Sequence, residues 1–165
     1  MSTFLYLLPA LQTAKPGDTI FVGLYVSSDR ELTGLDYSLD VTGATLISRN
    51  LGPSSFPDLI DNSLTGDLGA SIQDVRFPLA AGDHFVSTFE FRVDFAAHQA
   101  LIKPKAFPGT TGYVLGPPSF NEFPFDRYES ATVNVIPEPC ALLLLAILGL
   151  LLRPAVQRFR QRCAG

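Results

Sequence analysis

The 165 residues carry 16 acidic and 12 basic side chains, and the charge is unevenly placed: residues 1–139 hold all 16 acids and 8 of the bases, a net of −8, and four arginines follow. An acidic domain makes a poor partner for nucleic acid, whose binding needs a positive footprint. Both cysteines, Cys140 and Cys163, fall near the end, so the preceding domain of about 135 residues, long enough for one real core, carries no disulfide.

In chain order, residues 4–8 (Phe-Leu-Tyr-Leu-Leu) read as a first strand ended by Pro9. Residues 1–11 lack the basic n-region and the longer apolar run of a secretory signal. The expectation is that the true start lies upstream of Met1; an export signal of another kind is the alternative. Lys15-Pro16-Gly17-Asp18 is turn chemistry. After it, Ile20, Val22, Leu24 and Val26 fall on one parity, as a strand with one apolar face requires. Leu35, Tyr37, Leu39 and Val41 alternate with Asp36, Ser38 and Asp40 in a half-buried strand closed by Gly43. The strongest alternation covers residues 84–95. There Phe85, Phe89, Phe91, Val93 and Phe95 share one face, Ser87 excepted, against His84, Thr88, Glu90, Arg92 and Asp94. Val133 and Val135, with Thr132 and Asn134 opposite, close the set.

No window before the tail has helical periodicity, and 13 glycines and 13 prolines punctuate the chain. Several short strands with one apolar face each predict an all-β chain of two sheets packed face to face.

Two loops break the rhythm. Residues 53–74 gather Asp58, Asp61, Asn62, Asp67 and Asp74 among Gly and Ser. Asp58, Asp61 and Asp67 are calcium candidates because calcium takes several oxygen ligands on a flexible loop. The spacing is not that of an EF-hand, and the plainer reading is aspartates that solvate a turn. Residues 107–128 hold Phe107, Tyr113, Phe120, Phe123, Phe125 and Tyr128 among glycines and prolines. Two readings stand: Tyr113, Phe120 and Tyr128 stack on sugar faces, or these rings plug one end of the sandwich. Catalysis finds little support. His84 and His98 are the only histidines, and no nucleophile elbow, phosphate loop or metal-ligand spacing occurs. No cofactor is implied.

The tail is different in kind. Pro137-Glu138-Pro139-Cys140 leads into residues 141–152, which contain no polar side chain, and then into Arg153, Arg158, Arg160 and Arg162. As a helix, residues 140–152 rise about 20 Å against a hydrocarbon core of about 30 Å, so a span needs Arg153 to snorkel toward the headgroups. A buried core helix is the alternative. The terminal position, the lack of any polar face and basic residues on one flank only all favour membrane insertion. The basic flank then lies in the cytoplasm and the domain outside.

That order of tripeptide, apolar helix and arginine-rich end resembles the PEP-CTERM sorting signal of exported bacterial proteins. Pro137, Glu138 and Pro139 match the motif, residues 141–152 the transmembrane helix, and Arg153, Arg158, Arg160 and Arg162 the basic cytoplasmic end. Cys140 departs from the Ser or Thr that usually follows. The resemblance implies an exosortase, a membrane cysteine protease or transpeptidase, as partner, and delivery to the cell surface or exopolysaccharide matrix. Before it, residues 4–136 resemble a cohesin-type β-sandwich in strand order and turn chemistry. The features carrying this are Leu5 to Pro9, Lys15 to Asp18 with its strand, Leu32 to Asp40, and Pro78-Leu-Ala-Ala-Gly-Asp83 running into the phenylalanine-rich strand.

The expectation is therefore a single cohesin-like β-sandwich over residues 1–136 and a sorting signal over 137–162, with its transmembrane helix at 141–152 and its basic tail at 153–162. Such a protein is exported and non-catalytic. It is anchored in the cell envelope before processing, and its surface meets polysaccharide or another surface protein. The alternative is a carbohydrate-binding module in a polysaccharide-binding or degrading system.

Overall fold

A computed structural model describes residues 2–50, 69–73 and 78–137. Among the described residues there are twelve strands and no helix: β1 (Thr3–Leu8), β2 (Leu11–Ala14), β3 (Thr19–Ser28), β4 (Leu32–Thr42), β5 (Ala44–Asn50), β6 (Gly69–Gln73), β7 (Gly82–Val93), β8 (Gln99–Lys105), β9 (Tyr113–Leu115), β10 (Glu122–Phe123), β11 (Arg127–Glu129) and β12 (Ala131–Val135). One sheet runs β11-β1-β3-β7-β5. The other runs β10-β9-β4-β8-β12-β2, with β6 also paired to β4. Gly34 and Leu35 of β4 pair with both β9 and β6, so those two strands lie on opposite flanks of β4.

The chain changes sheets at two matched corners. Pro9 and Ala10 separate β1 from β2, and Ser130 separates β11 from β12. β1 pairs in parallel with β11 in one sheet, and β2 in parallel with β12 in the other. The first and last segments therefore cross together, tied at the corner by the Thr132 N–H donating to the Ala10 carbonyl at 2.8 Å.

The core is the interface between the sheets. Ile20, Val22, Leu24 and Val26 of β3 are all buried, as are Leu35, Tyr37 and Leu39 of β4 and Val133 of β12. The predicted parities of β3, β4 and β12 are thus the observed ones. Tyr37 and Phe89 meet across the interface edge to face, with centroids 6.2 Å apart, and Phe91 stacks beside Phe89 at 6.1 Å.

The strand predicted over residues 84–95 needs two corrections. Its pairing with β3 shifts register at Leu24/Tyr25, so that Leu24 faces Ser87, Tyr25 faces Phe85, and Val86 is the extra residue. A bulge of one residue inverts side-chain parity on one side of it. Val86 is accordingly fully buried while Phe85 turns to the outer face, half-buried. Phe95 lies beyond the end of β7 at Val93 and is 81 % exposed. Phe89, Phe91 and Val93 keep the predicted inward face.

Candidate functional site

The aromatic segment of residues 107–128 packs largely inward. Tyr113 stands in register with Leu35, on the inward parity of the seven-stranded sheet, and is buried with Phe107 and Phe125. Its ring is 5.9 Å from Phe123 and 5.4 Å from Phe125, which in turn contacts Tyr128 at 5.7 Å. Of the three named sugar contacts, Tyr113 is in the core, Tyr128 is half-buried against it, and only Phe120 is well exposed. The structure does not bring them together on one surface. The reason is register: pairing of β9 with β4 turns Tyr113 toward the sheet interface.

The calcium candidates Asp58, Asp61 and Asp67 lie outside the described residues. So do Glu138, Pro139, residues 141–152, Arg153, Arg158, Arg160 and Arg162. Among the described residues no helix is long and apolar enough to cross a membrane, and no three His, Cys, Asp or Glu side chains gather as a metal site. His84 donates from its ring Nε2 to the Ala80 carbonyl at 2.7 Å.

The beginning of the sorting motif is described. β12 ends at Val135, and the Ile136 N–H makes one further bond to the Ala14 carbonyl at 2.8 Å. Pro137 follows with no N–H to donate and is exposed. It borders a mostly apolar cleft of about 530 Å³, shared with Pro16, Phe95, His98 and Val135.

The two outer faces differ in chemistry. That of the seven-stranded sheet presents Asp40, Lys103, Lys105 and Asn134, with an ion pair between Asp40 and Lys105. That of the five-stranded sheet presents rings. Tyr6, Tyr25 and Phe85 are direct cross-strand partners on β1, β3 and β7. Their centroids are spaced 5.3 and 5.5 Å, and Phe4 lies 5.7 Å from Tyr6. Arg127, the β11 partner of Phe4, holds its guanidinium 3.8 Å from the centre of that ring, and its Nε bonds to Glu129 at 3.0 Å. All four rings are half-buried.

Burial, with the negative charge of Asp83 behind it, raises the Tyr6 phenol above its ordinary pKa of 10.0. Burial alone raises Tyr128. For such groups the neutral phenol is favoured in the fold. The stabilisation is complete below the unfolded value of about 10 and is lost as pH rises through the higher folded value. Thermal melts from about pH 9 to 12 should therefore show Tm falling less steeply for Tyr6→Phe than for the wild-type chain. An equal slope would mean that the phenol titrates alike in both states.

Sequence reasoning missed this row of rings. The signal was present as Phe4 and Tyr6 alternating with Leu5 and Leu7, and Tyr25 between Leu24 and Val26: aromatics at the outward parity of strands whose inward parity is aliphatic.

No family model matches the chain, and no curated protein matches it. Solved structures do. The cohesin module of a family 33 glycoside hydrolase from Clostridium perfringens is 11 % identical with a TM-score of 0.56, over 83 % of this chain and 97 % of that one. A non-cellulosomal cohesin from Archaeoglobus fulgidus is 11 % identical with a TM-score of 0.53, over 86 % and 96 %. The third ScaB cohesin of R. flavefaciens, solved in complex with a group 1 dockerin, is 13 % identical with a TM-score of 0.55, over 82 % and 95 %. The fold is a cohesin-like β-sandwich.

Proposed function

We propose that this chain is a non-catalytic interaction module of the cell surface, displayed outside the membrane and sorted through its C-terminal PEP-CTERM signal by an exosortase. The observation that carries the reading is how the chain leaves the sandwich. The last ladder bond is made at Ile136, and Pro137 stands exposed immediately after it. Two prolines around Glu138 cannot extend β12 and favour an extended backbone. Held so between domain and membrane, the acidic tripeptide would be open to a processing enzyme's groove. Glu138 is the only acid after Glu129, which makes it the natural specificity contact. The cohesin-like fold supports a protein partner, since one of its structural neighbours was solved bound to a dockerin.

The test is made in a host that encodes an exosortase. The wild-type chain is expected to be released or transferred, whereas Glu138→Gln and Pro139→Ala leave a full-length, membrane-retained protein. Processing of both variants at the wild-type rate would reduce the tripeptide to a spacer before a plain anchor.

A further inference from the structure

We propose that the outer face of the five-stranded sheet is a binding platform for a neutral, β-linked polysaccharide, whose pyranose rings stack on Phe4, Tyr6, Tyr25 and Phe85. The proposal does not rest on the sorting signal and concerns a different part of the chain from the aromatic loop.

Four rings in a row follow from register. Tyr6–Tyr25–Phe85 is one rung across three paired strands, and Phe4, two residues before Tyr6 on β1, adds a ring at its corner beside Arg127. The bulge at Val86 is what brings Phe85 outward into the rung. Tyr25 leans along its strand: a Cβ on Gly23 would come 2.9 Å from its ring, so that ring reclines over bare backbone. Tyr6 lies within 19° of its plane, while Phe85 is turned 66° from Tyr25 and Phe4 41° from Tyr6. A reclining ring turns one π face to the strand and leaves the other to solvent. Pyranose rings offer a complementary surface, because their axial C–H bonds, slightly positive, meet the negative face of an aromatic. Extended β-linked chains present such rings one after another, and a twisted row of aromatic faces on a rigid sheet can follow them.

The groups around the row decide the occupant. Asp83, exposed on β7 two residues before Phe85, and Arg127 paired with Glu129 are hydrogen-bonding groups set beside the rings. Sugar hydroxyls satisfy such groups. An acyl-chain surface or an apolar protein face would take these charged groups out of water, at a desolvation cost. Charge complementarity points the same way. Residues 1–139 carry a net −8, and the guanidinium beside the row is held by Glu129 and Phe4, so an acidic polymer is repelled.

The test uses the full chain, purified in mild detergent and run in affinity electrophoresis gels containing hydroxyethyl cellulose, xylan, galactomannan or polygalacturonate. Retardation by at least one of the three neutral polymers is expected, with affinity reduced at least tenfold in Tyr25→Ala and in Phe85→Ala. Phe120→Ala, on the exposed loop, should bind as wild type. Melting temperature is measured for each variant, and Tyr25→Phe, which keeps the ring, should retain binding even if Tyr25→Ala is poorly folded. Four results would overturn the proposal: no retardation by any neutral polymer; retardation by polygalacturonate alone; neutral binding that survives both alanine variants; or a wild-type dimer in sedimentation that Phe85→Ala converts to monomer, which would assign the face to a second copy of the chain. The sorting assay is read in cells, so either reading can fail without the other.

Discussion

Phe89→Ala and Phe91→Ala should each lower the free energy of unfolding by roughly 3–5 kcal/mol, a large part of the about 5–15 kcal/mol available to a domain. Both rings are fully buried on β7, the strand at the middle of the β3-β7-β5 ladder. Phe89 also reaches across to Tyr37 of the opposite sheet, so its removal opens a cavity at the interface that holds the two sheets together. A close-packed interior relaxes only partly around such a loss, and the cavity adds to the lost transfer energy. Phe95→Ala is the counter-test. It belongs to the same sequence alternation but lies past the end of the strand, and its loss should stay within about 0.5 kcal/mol. Denaturant melts of the full chain read all three. A loss under about 1 kcal/mol at both Phe89 and Phe91, or an equally large one at Phe95, would mean that the inward face of β7 is wrongly placed.

Five of the twelve described strands, β1, β3, β4, β7 and β12, were legible because each carries its evidence locally. The parities of β3, β4 and β12 need only a period of two and an aliphatic face, and turn residues mark their ends. Failures came where a distant partner decides. Nothing within residues 82–93 reveals that Val86 is an extra residue; the bulge exists only relative to Leu24 and Tyr25 on β3. Periodicity therefore assigned Phe85 to the core with Phe89. The sequence leaves Tyr113 between two readings, sugar contact or end plug, for the same cause. In sequence it sits between glycines and looks like loop, yet pairing with Leu35 turns it inward. The ring row combines both limits: its members stood at outward parities, but only the register of three strands aligns them. The tripeptide after Ile136 needed no partner to be noticed, because proline chemistry and charge are local.

Gly43→Ala should be the most damaging single methyl in the described fold, costing roughly 2–5 kcal/mol: about 1–2 for an L-residue in the left-handed region and about 1–3 for the overpacking. Gly43 alone joins β4 of one sheet to β5 of the other. It makes that crossing at φ +72°, and its carbonyl accepts from the Asp94 N–H at 3.1 Å. A Cβ there would overlap the Gln99 carbonyl oxygen and stand 3.1 Å from the Ala100 Cα. Those atoms are backbone of β8, and they cannot retreat. β8 is pinned on one side by Thr42 and Val41 of β4 and on the other by Val133 and Asn134 of β12. Gly109→Ala separates the two contributions, since Gly109 has φ +87° with nothing within 4 Å of the added methyl. It should cost only the conformational part, about 1 kcal/mol. Should the two variants melt alike, β8 yields to the methyl, and the rigid crossing between sheets is not what holds β4 and β5 in place.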